Sequence, residues 1–213
     1  MASPTAAAPA APLARGPIRP AEPVVVRHGW EVSGRASAAE LTLRDETWLA
    51  KVLVKADANG PFTAAALPYG RARRAAGRLE IGASPGEWLH LGPPGPAAAA
   101  ALVAELEAAV AEAGEPVVVI EQTHGRALLR LTGERAPALL AKVCAIDLSD
   151  RVTPDLAAFR SSVAKTVTDV VRDDRDARRS YLLHCDRSYG QYLFDCLLDA
   201  GREFGIEVAG VEA

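Results

Sequence analysis

Apolar residues fall along this chain in two rhythms, every second position over short runs and every third or fourth over longer ones, and each rhythm predicts one kind of element. Trp48–Ala56 (WLAKVLVKA) alternates apolar with polar and stops at the turn-rich Asp57-Ala58-Asn59-Gly60-Pro61, which predicts a strand. PFTAAAL from Pro61 predicts a short helix with Pro in its first turn, Gly70–Gly77 (GRARRAAG) a basic bend, and RLEIG a short strand. Pro85-Gly86 turns the chain into another strand, Glu87–Gly92. Helix formers fill residues 96–113 between Pro96 and Gly114, and Pro116 then opens the apolar run VVVIE as a strand. Strand, helix, strand, strand, helix, strand is the order of the ferredoxin-like split βαβ unit.

That order returns. RALLRLTG (Arg126–Gly133) predicts a strand, ERAPALLAKVC a helix, FRSSVAKTVTDVV one long strand, Arg172–Arg179 a charged turn and Tyr181–Cys185 a strand. Ser188 with Gln191 makes a capping-box pattern at the start of a last helix. Tyr189, Tyr192, Leu193, Cys196, Leu197, Ala200 and Phe204 form its apolar face, opposite Gln191, Asp195, Asp199, Arg202 and Glu203, and Gly205 ends it in the left-handed region. IEVAG near the C terminus reads as a closing strand, Val24–Ser33 as a strand or an extended lead-in, and Ala36–Glu46 alternates weakly. EWLHLG and SYLLHC, each followed by a helix, stand about ninety residues apart, as an internal duplication would place them. The expected fold is therefore α/β (α+β): two tandem ferredoxin-like split βαβ halves, residues 24–115 and 116–213, forming one domain. A disordered Ala/Pro-rich tail over residues 1–23, with six prolines and eight alanines, precedes them.

Composition narrows the partners. No run approaches the roughly twenty apolar residues of a bilayer-crossing helix. A net charge of −3 and a pI near 5.8 supply no field for phosphate backbones or anionic lipids, so neither nucleic acid nor membrane is expected as a partner. Cys144, Cys185 and Cys196 lack CxxC spacing and sit in apolar patterns, which suits buried free thiols in a reducing compartment. With no secretory apolar region near the start, the expected location is cytoplasmic.

Candidate chemistry is sparse. His28, His90, His124 and His184 stand in no metal-ligand pattern, so no metal is expected. His90 and His184 fall at the same place in the two repeated strands, which favours a structural role, and His184 and Cys185 point to opposite faces of theirs. No GxGxxG, no GxxxxGK[ST] and no GxSxG is present. The mixed-sign run from Arg172 to Arg179 reads as a solvated hairpin tip. One polar corner remains, Glu121-Gln122-Thr123-His124-Gly125-Arg126, where Gln122, His124 and Arg126 either line a ligand crevice or simply form a turn.

EQTHGRALLRLTGERAPALLAKVCAIDL, FRSSVAKTVTDVV, YLLHCDRSYGQYLFDCLLDAGREFG, LRDETWLAKVLVKAD and IGASPGEWLHLGP together resemble the gamma subunit of heterotetrameric sarcosine oxidase, over about residues 36–208. That family is similar in fold to the folate-binding region of the glycine cleavage T protein, an aminomethyltransferase. The resemblance implies a non-catalytic subunit that supports the folate-handling alpha subunit, beside beta and delta subunits, in the demethylation of sarcosine to glycine. It places FAD, FMN, NAD and tetrahydrofolate in the partner chains and no cofactor here. The Gly-Gly-x-x-Asp-Asp pattern of T-protein relatives has no glycine pair and no acidic pair in SSVAKTVTDVV. Lys142-Val143-Cys144 is the nearest approach to the Lys-Gly-Cys signature of iron–sulfur-repair relatives and lacks its glycines. Glu121 and Thr123 stand where the gamma pattern has Asp and Ser, which puts any inherited ligand contact of the corner in doubt. A stand-alone folate-binding module and the small subunit of an N-methylglutamate dehydrogenase are the alternatives.

Overall fold

The computed structural model describes residues 12–211. In chain order these form β1 (Ala14–Arg15), β2 (Val24–Arg27), β3 (Trp30–Ser33), β4 (Thr42–Asp45), β5 (Leu49–Lys55), α1 (Pro61–Ala65), β6 (Ala72–Ala75), β7 (Arg78–Ser84) and β8 (Glu87–Pro94). Then come α2 (Pro96–Val110), β9 (Val118–Glu121), β10 (Arg126–Thr132), α3 (Ala136–Leu140), β11 (Ala158–Val163), β12 (Thr166–Arg172), β13 (Ser180–Asp186), α4 (Gly190–Gly201) and β14 (Glu207–Val208).

Alternation along the central strands decides how these elements stack. In β10 and β13, Leu129, Leu131, Tyr181, Leu183 and Cys185 pack toward α3 and α4, whereas Leu128 and Leu182 point the other way. There they meet Leu79, Ile81, Leu89 and Leu91 of the second sheet, whose opposite face, Val52, Val54 and Trp88, receives Leu102 and Leu106 of α2. The result is helices, sheet, sheet, helix, with a core on each face of each sheet.

The five-stranded sheet runs β6-β7-β8-β5-β9 and the six-stranded one β11-β12-β13-β10-β4-β14. Each therefore holds a hairpin, then two central antiparallel strands, then an antiparallel neighbour, which is the ferredoxin-like order twice over. The sheets exchange strands across the expected boundary at residues 115 and 116. β4 lies in the six-stranded sheet between β10 and β14, and β9 edges the five-stranded one.

Several expectations change. The single long strand over Phe159–Val171 is the hairpin β11–β12, because Ala164 and Lys165 take positive φ (47° and 65°) and reverse the chain. The basic bend at residues 70–77 contains the strand β6, paired to β7, with the turn itself at Ala76-Gly77. His90 and His184 are not equivalent. His90 pairs with Val52 and shares the α2 face with it, whereas His184 pairs with Leu128 and faces the opposite sheet, a one-residue slip that inverts the side chain. In α4 the buried face is Gly190, Leu193, Phe194, Leu197, Ala200 and Gly201, while Tyr189 and Tyr192 are about half exposed. Ser188 lies in a short 3₁₀ turn and makes no cap, and Gln191 instead accepts from the Arg19 N–H (2.7 Å). Gly205 does take the left-handed conformation, φ 67°. Of the expected tail, residues 1–11 lie outside the described residues, and residues 12–23 are part of the fold. Ile18 is buried in the α4 core and Pro17 packs so closely on Gly190 that a Cβ there would sit 2.9 Å from it.

Candidate functional site

The polar corner after β9 is a turn held from two sides. Gly125 N–H donates to Gln122 O (2.9 Å), and Glu121 accepts from the Thr123 N–H (2.7 Å). From β5, the Lys51 N–H donates to Thr123 Oγ1 (3.1 Å) while its ammonium donates to the carbonyls of Thr47 (2.5 Å), Leu49 (2.9 Å) and Thr123 (3.3 Å). From the other side Arg187 donates to the carbonyl of His124 (3.2 Å). Lys51 is fully buried, and burial lowers its pKa to about 7 against the pull of the Asp45 carboxylate.

The three residues singled out in the corner go to different places. His124 stacks its ring on Trp30 of β3 at 4.6 Å and, with Glu121, Thr123 and His28, lines a cavity of about 580 Å³ beside the start of α2. Arg126 turns between the sheets, where its Nε donates to His184 Nε2 (3.4 Å) and its other nitrogens reach Asp186 and Asp169. Gln122 is half-buried and donates its N–H to Lys51 O (2.8 Å).

Asp169 is the residue that sequence reasoning passed over. It faces His184 across the β12–β13 ladder, 3.3 Å from Nδ1, and takes both oxygens to Arg160 (2.6 and 3.3 Å). Burial opposes its ionisation, but the hydrogen bonds from His184 and Arg160 hold its carboxyl below the usual range. Burial pushes His184 down to about 4, so the ring is neutral. With Nδ1 on a carboxylate and Nε2 on a guanidinium, the tautomer that satisfies both carries its proton on Nδ1. Both ring nitrogens are thereby committed, and neither is left to take a proton from a substrate. The lone Asp inside an apolar strand, at an inward position, was the signal that marked it.

At the opposite end of β10, Arg130 donates to Glu46 (2.8 Å) and pairs with Asp173 (2.9 Å), which also holds Arg74 (2.8 Å) and Arg175 (2.9 Å). Among the described residues no group of three or more His, Cys, Asp or Glu side chains is arranged to hold a metal ion. Cys144 and Cys185 are buried free thiols and Cys196 is partly buried; burial pushes the Cys185 thiol up to about 11, so it is unreactive.

Residues 95–213 match the family model described as the GCVT N-terminal domain. The sarcosine oxidase subunit gamma of Corynebacterium sp. (strain P-1) is 30% identical to this chain over 185 residues, which cover 81% of this chain and 85% of that relative. The chain belongs to the sarcosine oxidase gamma-subunit family. Heterotetrameric sarcosine oxidase from Corynebacterium sp. U-96 contains a chain of the same fold, with TM-score 0.67 at 22% identity over 80% of this chain and 89% of that one. The glycine cleavage system aminomethyltransferase T from Bartonella henselae also has TM-score 0.67, at 19% identity over 88% of this chain; the match spans 55% of that enzyme. This member of the gamma-subunit family thus carries the aminomethyltransferase fold at about half that enzyme's length. Among the described residues no helix is long and apolar enough to cross a membrane.

Proposed function

We propose that this chain works as the non-catalytic gamma subunit of a heterotetrameric sarcosine oxidase, docked directly on the alpha subunit with beta and delta subunits in the same cytoplasmic assembly. FAD, FMN, NAD and tetrahydrofolate then reside in the partner chains, and this chain supports the folate-handling part of the alpha subunit while sarcosine is demethylated to glycine. The observation that carries the reading is the 30% identity to a gamma subunit across most of both chains. The interior supports it: the His184, Asp169 and Arg126 side chains spend their donors and acceptors on one another, and Lys51 is tied to three carbonyls. A test is sarcosine-dependent peroxide formation by the purified chain, alone and added to the co-expressed alpha, beta and delta chains. The expected result is no turnover alone and full turnover in the complete assembly; turnover by the chain alone would overturn the non-catalytic role.

A second reading, a folate-binding module at this corner, keeps only His124 of the trio Gln122, His124 and Arg126, because the roughly 580 Å³ cavity it draws on is lined by His124 and not by the other two. Titration with tetrahydrofolate decides it, since a His124→Ala substitution would weaken any binding there and leave the assembly intact.

A further inference from the structure

The edge of a β-sheet presents unpaired backbone groups, and most edges of this fold are blunted. β1 and β14 have two residues each, and β6 carries Arg73 and Arg74. β11 is tied at both ends, by Ala158 N–H to Gly70 O (3.0 Å) and by the bridge between Val163 and Cys144. On β2 the Glu22 carboxylate accepts from the Val24 N–H (3.1 Å). β9 is different. It ends the five-stranded sheet beside β5, and Val118, Val119 and Ile120 within it carry neither charge nor proline.

The ladder decides which backbone groups face outward. Gln122 N–H donates to Lys51 O (2.8 Å), and antiparallel pairing alternates, so Ile120 and Val118 turn their N–H and C=O groups toward Leu53 and Lys55. Val119 and Glu121 therefore aim theirs away from the sheet, at the spacing that another extended backbone would match. Both faces of this edge are incompletely covered. Val118 and Ile120 are 53% and 36% exposed on the face opposite α2, and on the α2 side Val103, Val110, Val117 and Val119 are only partly buried.

Charge narrows what fits there. Residues 79–125 contain glutamates but no Asp, Lys or Arg, in a chain with 24 Lys and Arg against 27 Asp and Glu. Glu80, Glu87 and Glu105 are neutralised by Arg73, Lys55 and Arg78. Glu107 of α2 and Glu112 just beyond it are exposed and make no ion pair among the described residues. The edge thus suits a segment that is extended, apolar at its centre and basic at its flanks.

We infer that β9 is a docking edge, to which an extended basic segment of the alpha chain adds as a sixth strand of this sheet. The inference rests on the subunit role proposed above and names the surface which that role uses.

The test is hydrogen–deuterium exchange of the full chain, alone and in the assembly formed by co-expression with alpha, beta and delta chains of a heterotetrameric sarcosine oxidase. The Val119 and Glu121 amides are expected to exchange at least about tenfold more slowly in the assembly. Val118→Lys changes an exposed side chain, leaves the β5 ladder intact and repels a basic strand. Co-expressed in equal amount with the unsubstituted chain and counted by mass in the purified assembly, it should be about tenfold depleted, whereas Val26→Lys on β2 should be incorporated equally. Failure of the unsubstituted chain to join the assembly would overturn this inference together with the subunit role. An assembly that forms with unchanged exchange at Val119 and Glu121, or that takes up Val118→Lys equally, would overturn the docking edge alone.

Discussion

Replacing Asp173 by Asn removes one negative charge that three guanidinium groups share. The Asp173 side chain is fully buried, and its oxygens lie 2.8 Å from Arg74 Nε, 2.9 Å from Arg130 Nη2 and 2.9 Å from Arg175 Nη2. The three pairs are not equal. Arg74 and Arg175 are 37% and 52% exposed, so solvent screens them and each contributes about 0.5 kcal/mol. Arg130 is 11% exposed, and breaking a pair at that depth costs about 3–5 kcal/mol when the cation is stranded. It is not stranded here, because Glu46 remains bonded to it, which brings the loss to about 2 kcal/mol. The sum is about 3 kcal/mol, or a melting temperature lower by about 6–12 °C for a chain of this size. Urea and thermal unfolding followed by circular dichroism at pH 8 would measure it. The companion variant Asp155→Asn, which loses the exposed ion pair with Arg74 and keeps an oxygen to accept the Asp174 N–H, should cost less than about 1 kcal/mol. Equal effects of the two substitutions would refute the argument that burial of the Arg130 pair sets the cost.

Acid should unfold this chain earlier than its net charge suggests. Burial lowers both His90 and His184 to about 4, so between about 6.5 and 4 the unfolded chain binds protons that the folded chain refuses. Stability from these two rings is complete above about pH 6.5 and falls as pH drops toward 4, by on the order of 3 kcal/mol for each ring, which urea titrations at stepped pH would show and His184→Gln should about halve. Lys51 acts in a higher range: its folded pKa of about 7 lies below the ordinary lysine value, so stability should rise with pH from about 7 to 10, and a flat profile there contradicts the lowered pKa, since it would mean that the three carbonyls keep the buried group an ammonium. Gly133 has φ 142° and a Cβ there would stand 2.2 Å from Glu40 O, so Gly133→Ala should cost about 2–3 kcal/mol in the same assay, against about 1 for Gly77→Ala, where nothing lies within 4 Å.

Periodicity carried much of this fold. The apolar-rich runs WLAKVLVKA and RALLRLTG placed β5 and β10, and the repeated order of strands and helices matches the two sheets, although both strands are covered on both faces: Lys51 is fully buried, and Leu128 and Leu129 pack to opposite sides. Apolar patterning had little purchase on β4: Thr42–Asp45 owes its place to the six-stranded sheet, a long-range pairing that four residues do not announce. FRSSVAKTVTDVV looked continuous because its turn is built from Ala164 and Lys165, with no glycine or asparagine to mark the reversal. Aromatic residues misdirected the assignment of the α4 face. Tyr189 and Tyr192 are apolar by composition but ride at the rim, while Phe194 is buried, Gly190 comes close to Ala127 of β10 and Gly201 comes close to Leu139 of α3. The charged hairpin after Arg172 read as a solvated tip, yet Asp173 and Arg172 are buried, since Arg74 and Arg130 from distant strands pair with Asp173 while Asp150 and Asp174 pair with Arg172. Asp169 was legible only as an isolated acid in an apolar run, and His184 as its partner required the β12–β13 register.

Co-expression of this chain with alpha, beta and delta chains of a heterotetrameric sarcosine oxidase, followed by native mass measurement of material purified through a tag on the alpha chain, tests the subunit role most directly. The account predicts one particle whose mass includes a single copy of this 22.4 kDa chain, and loss of the particle when its gene is omitted. An alpha-tagged assembly of unchanged mass and full sarcosine turnover without this chain would contradict it.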